Sequence, residues 1–170
     1  MVSTASFILI ILIATVSAKV NNTIYFISNA ESPSFGRPGL TPVGFLRAQN
    51  CIPPLFKDLG IRKIISCPFN EESGVCFSTN ATVTSLTQGL NLPVDLSCGA
   101  DENTDDDCVT KLINKFAKTS SQAIAIVWDF HNMNNQLEKL NLVLPERDND
   151  NGDDDESPHI LTDIAIPAST

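Results

Sequence analysis

Basic residues are scarce in this chain: 11 Lys and Arg stand against 20 Asp and Glu, a formal net charge of −9. Binding a nucleic-acid backbone takes clustered cations, and no Lys/Arg cluster occurs, so a simple electrostatic nucleic-acid binder is excluded. Histidine is rarer still, with two residues, and the five cysteines are not at zinc-ligand spacing, so neither a metal site nor a cofactor is expected. Internal repeats are absent. One long apolar run is present, Phe7 to Ala14, and no later stretch is long enough to span a bilayer. The acidity itself is what keeps a secreted protein soluble; a cationic partner is the alternative use of it.

What is present fits one domain: 170 residues, 42% of them hydrophobic, is material for a single core. The run FILIILIA followed by Val16, Ser17 and Ala18 has the form of a secretory signal, although no basic residue precedes it. We therefore expect a cleaved signal at 1–18, a single domain over 19–170, an extracellular location and no membrane attachment after cleavage. Secretion makes the sequons at Asn21 and Asn80 candidate glycosylation sites. It also permits disulfides. The first pair expected is Cys98 with Cys108, closing a short acidic ring worth about 2 to 3 kcal/mol; Cys67 with Cys76 is the second. Cys51 is left over, and its apolar neighbours Ile52, Leu55 and Phe56 predict a buried, inert thiol.

Apolar runs alternate with helical patterns along the chain. Strands are expected at 23–27 (TIYFI), 63–66 (KIIS), 94–96 and 122–128 (QAIAIVW), the last so uniformly apolar that it reads as a central strand covered on both faces. Thr41 is a helix N-cap with Pro42 at the first helical position, and Pro53 and Pro54 should interrupt that helix after Cys51. Further helices are expected over 82–90, after the aspartates 105–107, and over 132–140, with a last apolar stretch at 159–166 beyond an acidic loop at 146–157. This order predicts an α/β fold, a three-layer sandwich with a mostly parallel central sheet. The acidic loop is not an EF-hand: started at Asp148, its twelfth position is His159 and not Glu.

Ligands of such sheets bind beyond the carboxyl ends of the strands. There the sequence reads SNAE after the first strand and WDFHN after the central one, with GLTPVGFLRAQ (Gly39 to Gln49) between. In order and spacing these segments, with KIIS, VDLSC and DDDCV, resemble the histidine phosphatase, or phosphoglycerate-mutase-like, superfamily, and more narrowly a short, secreted fungal branch of it. The resemblance runs from about Thr23 to Leu140. It implies an Arg-His-Gly/Ala-Glu motif after the first strand, in which His takes up a phosphoryl group, with a second arginine and a second histidine spreading the phosphate's charge.

Four of those positions are substituted. Ser28 stands for the first arginine, Asn29 for the nucleophile, Ser78 for the second arginine and Phe130 for the second histidine. An amide is no phosphoryl acceptor at neutral pH, so the resemblance implies a pseudoenzyme acting by binding or interaction, its old cleft lined by Ser28, Asn29, Ser78, Trp128 and Phe130, for an unknown ligand or protein partner. Arg37 is a candidate anion contact, and Glu31 a residue that holds the loop. The alternative is a divergent phosphomonoester hydrolase with a relocated nucleophile such as His131, in which Glu31 would serve as an acid. A glycan on Asn80, two residues from Ser78, would stand near the cleft mouth.

Overall fold

The computed structural model describes residues 21–34, 37–99, 107–140 and 161–164. The expected signal at 1–18, the acidic loop at 146–157 and His159 lie outside the described residues. Five strands, β1 (Ile24–Ser28), β2 (Ile61–Ser66), β3 (Val94–Asp95), β4 (Ala123–Trp128) and β5 (Leu161–Ile164), form one sheet in the order β3-β2-β4-β1-β5. The first four are parallel, and β5 pairs antiparallel with β1. Helices α1 (Pro42–Asn50), α2 (Ile52–Phe56), α3 (Phe77–Leu90), α4 (Cys108–Ala117) and α5 (Phe130–Lys139) fill the connections. The expected α/β three-layer class is what the chain adopts.

The layers follow from strand alternation. On one face Ile24 and Phe26 of β1 and Ile124, Ile126 and Trp128 of β4 pack with Val109 and Ile113 of α4 and Met133 and Leu137 of α5. On the other, Tyr25, Ile27, Ala125 and Val127 pack against Ala48 of α1, Ile52 and Phe56 of α2 and Val83 and Leu86 of α3. β1 and β4 are buried along their whole length, as their continuous apolar runs require. In β2 the alternation slips: the register with β4 shifts between Ile61 and Lys63, which brings Ile61 and Ile64 to one face despite their odd spacing.

α1 starts as its sequence dictates. The Thr41 side chain accepts the N–H of Gly44 at 2.9 Å, and Pro42 occupies the first turn, where no N–H is needed. Pro53 and Pro54 do end α1, but they also begin α2, because the first turn of a helix tolerates proline. α3 begins five residues before the expected Thr82. Cys76, bridged to Cys67 and left-handed at φ 62°, turns the chain directly into the helix. The second disulfide is Cys98–Cys108, as expected. Cys51 corrects the expectation of a buried thiol: it is exposed at the corner between α1 and α2, where Ile52 and Phe56 take the inward positions.

At the sheet edge Lys63 of β2 and Asp95 of β3 form an ion pair of 2.6 Å. Partial burial pushes the Asp95 carboxyl up, but hydrogen bonds from Lys63 and Ser97 and the Lys63 charge outweigh it and hold its pKa at about 2. No helix among the described residues is long and apolar enough to cross a membrane.

Candidate functional site

β1 and β4 are neighbours, yet their outgoing connections part. The chain leaves β1 toward α1 on one face and leaves β4 toward α5 on the other. Strands that diverge in this way open a crevice at their carboxyl ends, the usual ligand position in α/β sheets. Ser28 and Trp128 stand at equal height on the two strands, so the segments Asn29–Glu31 and Asp129–Phe130 flank the crevice.

Each residue of the 29–31 turn is pinned. The Asn29 side-chain oxygen accepts the N–H of Phe130 at 2.9 Å, across the crevice, while its amide nitrogen donates to Ser32 Oγ at 2.9 Å and to the Ala30 carbonyl at 3.1 Å. The Ala30 N–H donates to Thr82 Oγ1 at 2.9 Å, and that hydroxyl donates in turn to the Ser78 carbonyl at 2.9 Å. The Glu31 carbonyl accepts from Thr41 N–H at 2.8 Å, and its carboxylate pairs with the Arg47 guanidinium. Gly44 packs so closely on this turn that a β-carbon there would run into the Glu31 carbonyl oxygen. The turn is thus tied to α1, α3 and α5 together.

Ser78, half-buried in the first turn of α3, donates to the Gly39 carbonyl at 2.7 Å and fastens the loop ahead of α1. Beside it Phe77 meets Phe69 edge to face, 4.9 Å between ring centres, and keeps part of its ring in solvent. Phe130 is 51% exposed at the start of α5. Arg37 is exposed. Of the two arginines near the site, Arg47 is neutralised by Glu31 and Arg37 stands in solvent, so the crevice has no pair of converging cations among the described residues.

Two of the expected cleft residues are placed otherwise. Trp128 has 0% of its surface exposed and packs in the core layer that holds α4 and α5, so it lines no open cleft; its indole nitrogen has no hydrogen-bond partner there. Its place as the last inward residue of a strand covered on both faces is the reason. Ser28, at 8%, is also below the surface. Asn29 is hydrogen-bonded to Phe130, Ser78 is linked to the same turn through Thr82, and the Glu31 carboxylate pairs with Arg47. His131 follows Phe130 in the first turn of α5. Asn80 lies in the first turns of α3. Sequence reasoning missed Thr82 and Gly44, the two residues that fix the turn from the side of α3 and α1; the short spacing from Thr41 to Gly44 was the available signal for the second.

No group of three or more His, Cys, Asp or Glu residues that could hold a metal ion occurs among the described residues. No protein-family model matches the chain, and no curated protein matches it. Among solved structures, the chain is similar to SixA from Agrobacterium tumefaciens, a protein assigned as a phosphohistidine phosphatase, with 21% identity and a TM-score of 0.44 over 69% of this chain and 75% of that one.

Proposed function

We propose that this chain is a secreted, non-catalytic binding or interaction protein on a histidine-phosphatase-like scaffold. The observation that carries this is the employment of the residues at the substituted positions. Asn29, in place of the nucleophile, spends its amide on Phe130, Ser32 and Ala30, and Ser78, in place of an arginine, spends its hydroxyl on Gly39. Phosphoryl transfer needs a nucleophile and positioned cations, and neither role has a holder among these four residues. The exposed rings of Phe77 and Phe130, with the polar turn between them, suit a neutral or weakly polar ligand or a protein surface better than a phosphate. The two disulfides are compatible with an oxidising, extracellular setting.

The test is an assay of the purified protein on a generic phosphomonoester, with inorganic phosphate titrated in a thermal-shift measurement alongside. No turnover and an unmoved Tm are expected. Turnover that disappears in His131→Ala would overturn the proposal in favour of a hydrolase with a relocated nucleophile.

A further inference from the structure

We infer that two copies of this chain pair through the outer face of α1 and the corner between α1 and α2.

α1 carries its side chains in the reverse of an ordinary surface helix, which turns its apolar stripe to the core and its charges to water. Its buried residues are the small ones, Gly44 and Ala48, and Gly44 lies directly on the turn after β1. Its large apolar residues point outward: Val43 is 60% exposed, Phe45 51% and Leu46 57%, and past the corner Leu55 is 57% exposed. Val43 and Leu46, three residues apart, are neighbours on the helix surface. Four of the seven large apolar side chains exposed among the described residues therefore fall within one short stretch of chain, a concentration that marks an interaction surface.

Charge decides what can cover this surface. Every exposed side chain from Pro42 to Leu55 is uncharged, and the one ion in the stretch, Arg47, is half-buried and paired with Glu31. A chain of net charge −9 repels its own copy, so a contact between two copies must use a face that sets no acid against acid. This face meets that condition, whereas a partner steered by charge finds no exposed ion on it.

The polar residues beside the patch are the amides Gln49 and Asn50, both exposed. An amide holds donors and an acceptor, so it can pair with its own copy across a twofold axis, where the same patch lies on both sides. The exposed side chains from Pro42 to Leu55 offer on the order of 700 Å², close to the roughly 800 Å² that each partner gives to a standard interface.

Sedimentation equilibrium of the full chain tests this. At micromolar concentration the mass should be twice that of one copy, and Cys51→Ser, which removes the exposed thiol at the corner, should give the same mass because the contact needs no covalent link. Leu46→Glu sets two carboxylates against each other and should weaken association about tenfold or more. Gln49→Glu should act in the same direction, and Asn114→Glu, exposed on α4 across the sheet, should leave the dimer unchanged. Leu46 and Gln49 are exposed in one copy, so circular dichroism of their variants should match the parent. A chain that stays monomeric throughout that range would overturn the inference, as would a dimer that survives both Leu46→Glu and Gln49→Glu, or one that disappears in Cys51→Ser.

Discussion

Asn29 and Phe130, 101 residues apart, are joined by a 2.9 Å hydrogen bond from the helix's first N–H to the turn's side-chain oxygen. A helix leaves its first N–H groups without intrahelical acceptors, and here one is served by a residue of another strand's loop. The crevice between β1 and β4 is bridged at its mouth by the Asn29 side chain.

Asn29→Ala removes that acceptor and should cost about 1 kcal/mol, the usual loss for an N-cap oxygen. Asn29→Asp should cost less, since a carboxylate accepts the same bond and favours the positive end of α5. Urea midpoints of the two variants give the order, and equal losses would remove the capping role.

Thr82→Ala leaves the buried Ala30 N–H without its acceptor, a loss of about 1 to 3 kcal/mol, whereas Thr82→Ser keeps the hydroxyl and should stay within about 1 kcal/mol of the parent. Chemical denaturation measures the gap between them. A gap near zero would mean that Thr82 acts through its methyl group alone.

Gly44→Ala sets two effects against each other. Helix propensity favours alanine by about 1 kcal/mol, but the new methyl would meet the Glu31 carbonyl, a backbone atom held in place by Thr41. Overpacking of this kind costs about 1 to 3 kcal/mol, so the variant should be less stable than the parent. A rise in Tm would show that the turn yields.

The Asp95 carboxyl, held at about 2 against an ordinary 3.8, binds a proton less readily in the folded state than in the unfolded chain. Its contribution, on the order of 1 kcal/mol once solvent screening of this edge pair is allowed for, is present above 3.8 and is lost as pH falls toward 2. The stability difference between the parent and Asp95→Asn, followed by urea unfolding, should therefore shrink across that window. A difference that stays constant from pH 5 to pH 2 would contradict it.

Much of the fold was legible because its signals are local. The unbroken apolar run of β4, the Thr41-Pro42 helix start and the two cysteine pairs need only neighbouring residues to be understood. α2 and the early start of α3 were hidden because each depends on a switch of role: prolines that end one helix begin another, and a bridged cysteine takes a left-handed conformation. Cys51 was misjudged because the apolar neighbours that should have buried it take the inward positions themselves. At the site, motif order pointed to Asn29, Ser78 and Phe130, but the bonds of Ala30 to Thr82 and of Asn29 to Phe130 link residues far apart in the chain and left no local signal. Trp128 was placed in the cleft because a strand's last residue is near its mouth, and only the packing of both faces shows it pointing inward.

The edge of the sheet beyond β2 is closed by a strand of two residues, and the part of β2 left outside that pairing carries Arg62 and Lys63. A short, charged margin gives an incoming strand little to pair with and imposes a desolvation cost on the attempt. On the opposite side β5 covers β1, the most apolar of the parallel strands beside β4. Shortening the chain before β5 would therefore leave β1, an unbroken apolar strand, as a template for an incoming strand.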